Sequence, residues 1–414
     1  MDASSAAEAR PTRAPHRFVP WILVSCTGLS ILSTDLYTPS LPHLPALLDS
    51  DPATVQLTMS LNLAAYAGAQ LLHGPLADRF GRRRLLICGI LAFVLASLGC
   101  ALAGSIGQLL AGRIAQGLVG SVASVVVILM IRELYSSDRA VKILGLYGVA
   151  VGMVPSVAPL IGGYIHVYAG WRSNFLLLAG LACIVALLVL RWLPESGARD
   201  PEALRPGRIL ANYRRLLKRP AYLRYLLPLT FQFGALFAFI TAGPFVLIDR
   251  LGVPTQHYGL CYGVMVLAYM AGSLATSRVA GRLEPAEILR RTSLVCPAAG
   301  LLLLVPVLLG HESVVAIVLS ISLFALGLGP LLASGPVCLL EAAGEIPKGP
   351  ASALCGSLQL TAASLAGLLV GSFHDGTALP LACTLAALSL IGILGYLVLS
   401  RVPDEPAAQS DRLR

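Results

Sequence analysis

A series of apolar runs, each about 20 residues long, recurs along the whole chain and constrains its fold more than any other feature. A helix of that length spans the roughly 30 Å hydrocarbon core of a bilayer. Only 12% of the residues are charged, whereas soluble globular chains average about 25%. The sequence therefore predicts an all-α polytopic membrane protein.

Hydropathy read over about 19 residues divides the chain into twelve predicted spans. They lie near 18–38, 54–75, 84–104, 107–131, 141–166, 172–193, 222–248, 257–278, 291–310, 314–340, 350–372 and 378–400. We predict two six-helix bundles, at 18–193 and 222–400, joined by a cytoplasmic linker over 194–221. Cytoplasmic tails are expected at 1–17 and 401–414.

The basic residues test this map. Of the 30 Lys and Arg residues, all but Arg113, Arg172 and Arg250 fall on the side of the N-terminus. Since Lys and Arg are retained on the cytoplasmic side, we expect both termini there. The net charge of +9 then reflects topology, and no nucleic-acid partner is expected.

A faint repeat relates the two halves. Leu76–Arg82 and Thr276–Arg282 follow the second and eighth spans and share a Gly and an Arg at the same places. Duplicated bundles hold their substrate site between the halves, near the bilayer midplane. We therefore expect pseudo-symmetric halves with a central site.

The segment GPLADRFGRRR joins the second and third spans. Its two glycines permit a tight reversal, and a positive-inside anchor explains the last arginines but not the aspartate. The pattern Gly-x-x-x-Asp-Arg-x-Gly-Arg-Arg resembles the loop 2–3 signature of the major facilitator superfamily. That resemblance implies the twelve-helix major facilitator fold, with a charge relay that locks one conformation. It assigns conformational gating to Gly74, Asp78, Arg79, Gly81 and Arg82.

Arg113 stands about four residues inside the fourth span, in GRIAQGLVGS. A charge at membrane depth costs about 2.5 kcal/mol or more, so Arg113 is expected to face a cavity or pair with an acid. Snorkelling to the interface is the alternative. Arg-x-x-Gln-Gly resembles the span-4 motif of the superfamily's proton antiporters, which implies that Arg113 lies beside the proton site. Gln116 is expected on the same helix face.

The fifth span, YGVAVGMVPSVAPLIGGYI, carries glycines that favour close packing and prolines that break or kink a helix. Small-residue packing alone can produce such a pattern. The spacing resembles the antiporter motif of superfamily exporters, which implies efflux rather than uptake. We expect gating roles for Gly148, Gly152, Pro155, Pro159, Gly162 and Gly163.

Asp35 lies in STDLYTPSLP, late in the first apolar run. At 1.5 Å per residue it lies roughly 25 Å along its span, and Arg113 lies roughly 9 Å into the fourth from the same side. An Asp35–Arg113 pair is thus geometrically possible. Desolvation favours the neutral acid and a cation favours the carboxylate, so a group between them can exchange protons. A helix cap is the alternative, since Pro39 and Pro42 follow.

Ser-Thr-Asp-Leu-Tyr-x-Pro-x-Leu-Pro closely resembles the span-1 signature of the bicyclomycin/chloramphenicol-resistance branch of the drug:proton antiporters. The resemblance implies that Asp35 is shared by proton and drug, with Arg113 beside it, and that the chain lies in the bacterial inner membrane. Polar and aromatic side chains within the spans are predicted to line the substrate cavity, although packing is the alternative for each aromatic ring. They are Tyr37, Asn62, Tyr66, Gln70, Gln116, Phe231, Phe237, Tyr262 and Tyr269.

The expected activity is proton-coupled efflux of small amphipathic or aromatic compounds by alternating access. The sequence has no nucleotide-binding motif of the form G-x-x-x-x-G-K-[ST], so a proton gradient is the expected energy source, without a cofactor. Its cysteines and histidines lack metal-ligand spacing, and no nucleophile–base pair marks an enzyme. We expect a monomer in the bilayer. Export of an endogenous siderophore, nucleoside or amino-acid derivative is an alternative, and a membrane receptor is another.

Overall fold

The structure is a computed structural model that describes residues 16–196, 206–346 and 348–401. Within those ranges it contains twelve long helices: α1 Val19–Asp35, α2 Pro52–Phe80, α3 Arg82–Ala101, α4 Ile106–Leu134, α5 Ser137–Ala169, α6 Arg172–Trp192, α7 Pro220–Pro244, α8 Tyr258–Val279, α9 Val295–Leu308, α10 Val314–Ala342, α11 Lys348–Ser372 and α12 Leu379–Leu399. The predicted all-α fold of two six-helix halves is confirmed. Residues 1–15 and 402–414 of the predicted tails, and residues 197–205 of the predicted linker, lie outside the described residues.

Eleven candidate membrane spans are found by length and hydropathy in the described parts of the chain, and α2 is not among them. This helix carries buried polar side chains, such as Gln56, Asn62 and His73. They face other helices instead of lipid, so the mean hydropathy of α2 is low although the helix is long enough to cross a bilayer.

Shorter elements complete the described chain. A 3₁₀ turn, Thr38–His43, and a helical turn, Leu44–Leu47, follow α1. A π-helical turn, Phe245–Arg250, extends α7. The amphipathic helices Pro206–Leu217 and Pro285–Thr292 precede α7 and α9.

The second helix starts and stops at sharply defined positions. Oδ1 of Asp51 accepts the backbone N–H of Thr54 at 2.9 Å, which caps the helix, and the bonds from Thr54 lower the pKa of the Asp51 carboxyl. The chain reverses at Gly81, where φ is +96°, a value that glycine adopts readily. Gly74 lies inside α2 and takes no part in the reversal, which corrects one of the two predicted turn glycines.

The fifth helix is continuous from Ser137 to Ala169, although it contains Pro155 and Pro159. Of the predicted break or kink at these prolines, the break does not occur. Membrane helices tolerate proline because neighbouring helices and local adjustments satisfy the freed backbone groups.

The bundle has two ends. We call the end that carries Gly81 and the arginines beside it the arginine-rich face. We call the end with Thr38–His43 and Thr255–His257 the opposite face. At the opposite face, His43 of the first half and Thr255 of the second share a hydrogen bond, with Nε2 and Oγ1 2.9 Å apart. The two halves are therefore joined there.

The halves also meet along α2 and α11. Ser364 donates to the carbonyl of Ser60 at 2.7 Å, and the Gln70 amide lies against Gly356. Gln70 is ten residues before the end of α2, roughly 15 Å from the arginine-rich face. The hydrogen bonds that join the halves, from His43, Ser357 and Ser364, all lie between the opposite face and the level of Gln70. The contact between the halves is therefore closed at the opposite face.

Candidate functional site

Arg113 is enclosed in the first half, with 0% of its side chain area exposed. Its Nη1 donates to the carbonyl of Ser33 at 2.9 Å and to Oε1 of Gln116 at 2.7 Å, and its Nε donates to the carbonyl of Thr58 at 3.3 Å. The guanidinium carbon lies 4.5 Å from the centre of the Tyr37 ring. Oxygen dipoles and a π face from α1, α2 and α4 thus solvate the cation, and it does not snorkel.

Three predicted cavity residues surround Arg113. Gln116 accepts from the guanidinium and donates to the Ser97 hydroxyl at 2.8 Å, and Asn62 donates to the Arg113 carbonyl at 2.7 Å. Tyr37 supplies the ring beside the guanidinium, and all three side chains are buried. A buried cation needs such partners, so these residues face the interior of the first half. Their predicted place in the substrate cavity stays a prediction.

Asp35 is the last residue of α1 and is buried. Within the described chain its carboxylate has no ion pair and no hydrogen bond, because the guanidinium of Arg113 is turned to the Ser33 carbonyl. The predicted Asp35–Arg113 contact is therefore absent from this conformation. The Asp35 carbonyl accepts the Thr38 hydroxyl at 2.8 Å, so it is Thr38 that caps this helix end.

Asp35 lies at the boundary with the second half. Helix α8 brings two phenol groups, those of Tyr258 and Tyr262, within electrostatic range of the carboxylate. Their ring centres are 6.3 Å apart, and both side chains are buried. Tyr262 was predicted to line the cavity, and the structure brings it to Asp35 from the other half.

The remaining polar candidates of α2 point in different directions. Tyr66 lies next to Gly120 of α4, and Gln70 lies against Gly356 of α11. They were predicted to share one face with Asn62, but the eight residues between Asn62 and Gln70 turn a helix by about 80° beyond two full turns. Only part of this set can therefore face the boundary between the halves.

The second-half aromatic candidates are partly exposed. Phe231 packs its Cβ beside Gly392 of α12, and the rings of Phe237 and Phe233 are 5.0 Å apart. Tyr269 lies on α8, well beyond Tyr262. The structure does not bring these three to Asp35.

The arginine-rich face holds a network of charges within the first half. Nη2 of Arg82 is 2.7 Å from Oδ1 of Asp78 and 2.9 Å from Oε1 of Glu133, which ends α4. Oε1 of Glu195, which follows α6, accepts the backbone N–H of Arg83 at 2.8 Å. The network ties the start of α3 to the ends of α2, α4 and α6.

Other predicted gating residues differ in their surroundings. Arg79 is exposed, and the space beside Gly74 is open. At Gly81 a side-chain carbon would approach the carboxylate of Glu195 to 2.9 Å. Gly81 therefore both reverses the chain and admits an acid to the network.

The glycines of α5 also divide into two kinds. A side-chain carbon at Gly162 would overlap the carbonyl of Leu36, and one at Gly163 would come within 2.7 Å of the carbonyl of Thr255. At Gly148 and Gly152 it would meet nothing within 4 Å. Close packing is thus confined to the later pair, where α5 lies between α1 and the second half.

The profile of the Major Facilitator Superfamily matches residues 23–370. The chain belongs to this superfamily. It is 30% identical to the uncharacterized MFS-type transporter YdgK of Bacillus subtilis over 94% of this chain and 97% of that protein. It is 29% identical to a bicyclomycin resistance protein homolog of Haemophilus influenzae, over 88% and 92% of the two chains. The family predicted from the sequence motifs is confirmed.

Other relatives agree with these. A chloramphenicol resistance protein of Pseudomonas aeruginosa is 29% identical over 90% of this chain and 88% of that protein. Among solved structures, a peptide transporter POT in complex with sulfate superposes with a TM-score of 0.77 at 15% identity, covering 97% of each chain. The likeness to that structure concerns the fold alone.

Sequence reasoning missed several residues of this site. Glu133 could have been found, because it is an acid at the end of a span that meets the arginine-rich face. His43 carried no such signal. Its importance depends on Thr255, the partner that the other half brings to it.

Proposed function

We propose that this chain is a proton-coupled exporter of small amphipathic or aromatic compounds, of the kind that confers drug resistance. The observation that carries the proposal is the buried carboxyl of Asp35, at the boundary between the halves and without an ion pair. The names of the relatives, a bicyclomycin and a chloramphenicol resistance protein, support the substrate class.

The basic loops support a cytoplasmic arginine-rich face, with both termini on that side. The opposite face then points away from the cytoplasm, and the conformation described above is closed outward. Asp35 would release its proton toward the cytoplasm while substrate binds, and it would take up another when the opposite face opens. No cofactor enters this cycle, because the proton gradient drives it.

Arg113 has a different part in this proposal from the one that its sequence motif suggested. Its donors are committed to Ser33, Thr58 and Gln116, so it serves chiefly to hold α1, α2 and α4 together around the proton site. Among the described residues it forms no ion pair with Asp35, so that carboxyl can exchange protons without first leaving a guanidinium.

The test is drug–proton exchange in everted membrane vesicles, with chloramphenicol as the probe. Energised vesicles should accumulate chloramphenicol and lose part of their proton gradient when it is added. Asp35→Asn should abolish both effects, since an amide has nearly the same shape as the carboxyl but cannot take up or release the proton. Asp249→Asn, at an exposed acid of the opposite face, is the matched control and should behave as wild type. Unchanged proton movement in Asp35→Asn would rule out the coupling role.

A further inference from the structure

Gln56 is a buried amide without hydrogen-bond partners at the contact between the two halves. It is the fifth residue of α2, near the opposite face, and 0% of its side chain is exposed. Within the described chain neither its Nε2 nor its Oε1 makes a hydrogen bond. A buried polar group that lacks a partner costs free energy, whereas the same group in water does not. The unpaired amide of Gln56 therefore calls for an explanation.

Two glycines of α11 bring the second half against this part of α2. A side-chain carbon at Gly371 would lie 3.3 Å from Cβ of Gln56 and 3.5 Å from its Oε1. One turn earlier, a carbon at Gly367 would lie 2.5 Å from the hydroxyl of Ser60 and 3.2 Å from that of Thr241. Since α2 belongs to the first half and α7 and α11 to the second, these side chains are enclosed by the contact between the halves.

Thr241 repeats the pattern of Gln56 from the second half. It lies three residues before the end of α7, and its side chain is 0% exposed. Its hydroxyl makes no hydrogen bond among the described residues. The neighbouring Ser60 hydroxyl reaches the carbonyl of Gln56 only at 3.5 Å, within its own helix. Each half thus contributes a buried polar side chain that the other half covers without bonding to it.

Deeper along the same contact, the polar side chains are paired. Ser364 and Ser357 of α11 donate to backbone carbonyls of α2, at 2.7 and 3.0 Å. These two bonds favour the closed arrangement of the halves. The unpaired groups of Gln56 and Thr241 act in the opposite sense, because their cost arises only when the contact shuts water out.

We propose that the unpaired side chains of Gln56 and Thr241 oppose closure of the opposite face, so that this face can reopen in each transport cycle. When the halves separate there, water reaches both groups and their cost disappears. The paired serines and the unpaired groups then balance each other, which keeps both states accessible. This inference rests on the alternating access of the proposed function and names two residues that set its equilibrium.

The test measures how often the opposite face opens when no substrate is present. Hydrogen–deuterium exchange of the full-length protein in lipid nanodiscs, read by mass spectrometry, follows the backbone amides of Thr38–His43 and Thr255–His257. Gln56→Met keeps the length of the side chain and removes both polar atoms. It should slow this exchange by about tenfold, the factor expected when a buried unpaired polar group is removed. Thr241→Val, which keeps the shape of the side chain, should slow it several-fold.

Slower exchange separates this role from ordinary packing, because a loss of packing would make exchange faster. The matched control is Gln232→Met. Gln232 is also buried with an unpaired Oε1, but its Nε2 donates to the Ser389 carbonyl at 3.1 Å within the second half. Its surroundings stay the same when the halves separate, so this variant should exchange at the opposite face as the wild type does.

A variant of opposite sign keeps the test decisive if Gln56→Met folds poorly. At about pH 8, Gln56→Glu should speed exchange, because closure must then bury or neutralise a carboxylate that is ionised in water. An unchanged rate in a folded Gln56 variant, or in Thr241→Val, would overturn this inference. The measurement needs neither a substrate nor a proton gradient. Failure of chloramphenicol–proton exchange in wild-type vesicles would instead tell against the proposed function.

Discussion

Replacement of Arg113 tests whether its buried hydrogen bonds hold the first half together. Arg113→Ala removes two short bonds from the guanidinium, of 2.9 and 2.7 Å, and one longer bond of 3.3 Å. Hydrogen bonds to charged groups contribute about 1.5–3 kcal/mol each, so the two short ones account for about 3–6 kcal/mol. Removal of the charge also removes its desolvation cost, which offsets part of the loss. We expect destabilisation of about 3 kcal/mol.

Arg113→Lys separates geometry from charge. A lysine keeps the positive charge but is a compact, strongly hydrated point donor, and it cannot reproduce the planar fork that bonds Ser33 and Gln116 together. We therefore expect Arg113→Lys to be destabilised as much as Arg113→Ala. A charge-only role for Arg113 would instead leave the lysine variant close to wild type.

The assay is thermal unfolding of the purified protein in detergent, followed by tryptophan fluorescence. Unfolding entropy scales with chain length and gives about 0.9 kcal/mol per degree for this chain, so 3 kcal/mol lowers Tm by about 3 °C. The matched control is Arg172→Ala, which removes one 2.8 Å bond from an exposed guanidinium to the Ala103 carbonyl and should shift Tm by less than about 1 °C. An Arg113→Lys variant that melts with wild type would refute the reasoning.

Three further outcomes are expected. Glu133→Gln should lower Tm by about 1–2 °C and reduce transport, because it removes one of two carboxylates from the arginine that they share. In the double variant His43→Cys, Thr255→Cys, a short thiol cross-linker should join the two cysteines and block transport, and reduction of the cross-link should restore transport. Normal transport after full cross-linking would mean that the opposite face need not open. In that double-cysteine background, Gly162→Leu should cut the cross-linking yield several-fold, whereas Gly180→Leu, beside open space, should not.

The depth of a residue along its helix could be predicted from the sequence, and so could contacts between side chains three or four residues apart in one helix. Arg113 and Gln116, one turn apart, bond to each other at 2.7 Å. Asp78 and Arg82, four residues apart, form the 2.7 Å ion pair of the arginine-rich face. Such pairs depend only on helix geometry, which the sequence reveals once the helix has been recognised.

Contacts between helices could not be predicted in the same way. Depth along the axis gave Asp35 and Arg113 similar heights, but it did not give the rotation of either helix about its own axis. The rotation decides that Arg113 meets a carbonyl and that Gly162, not Gly148, meets α1. His43 is a stronger case, because its partner Thr255 belongs to the other half and depends on how the two halves dock.

The Asp35–Arg113 pair that the sequence suggested would make a poorer proton site than the unpaired Asp35 carboxyl of the structure. A carboxylate in a hydrogen-bonded pair with a guanidinium stays charged over a wide pH range, and it would have to break that pair in every cycle. Arg113 instead donates to oxygens of its own half, which do not move when the halves separate. Among the described residues, no cation pairs with the Asp35 carboxyl. Asp35 can therefore take up and release a proton without first breaking a bond to a guanidinium.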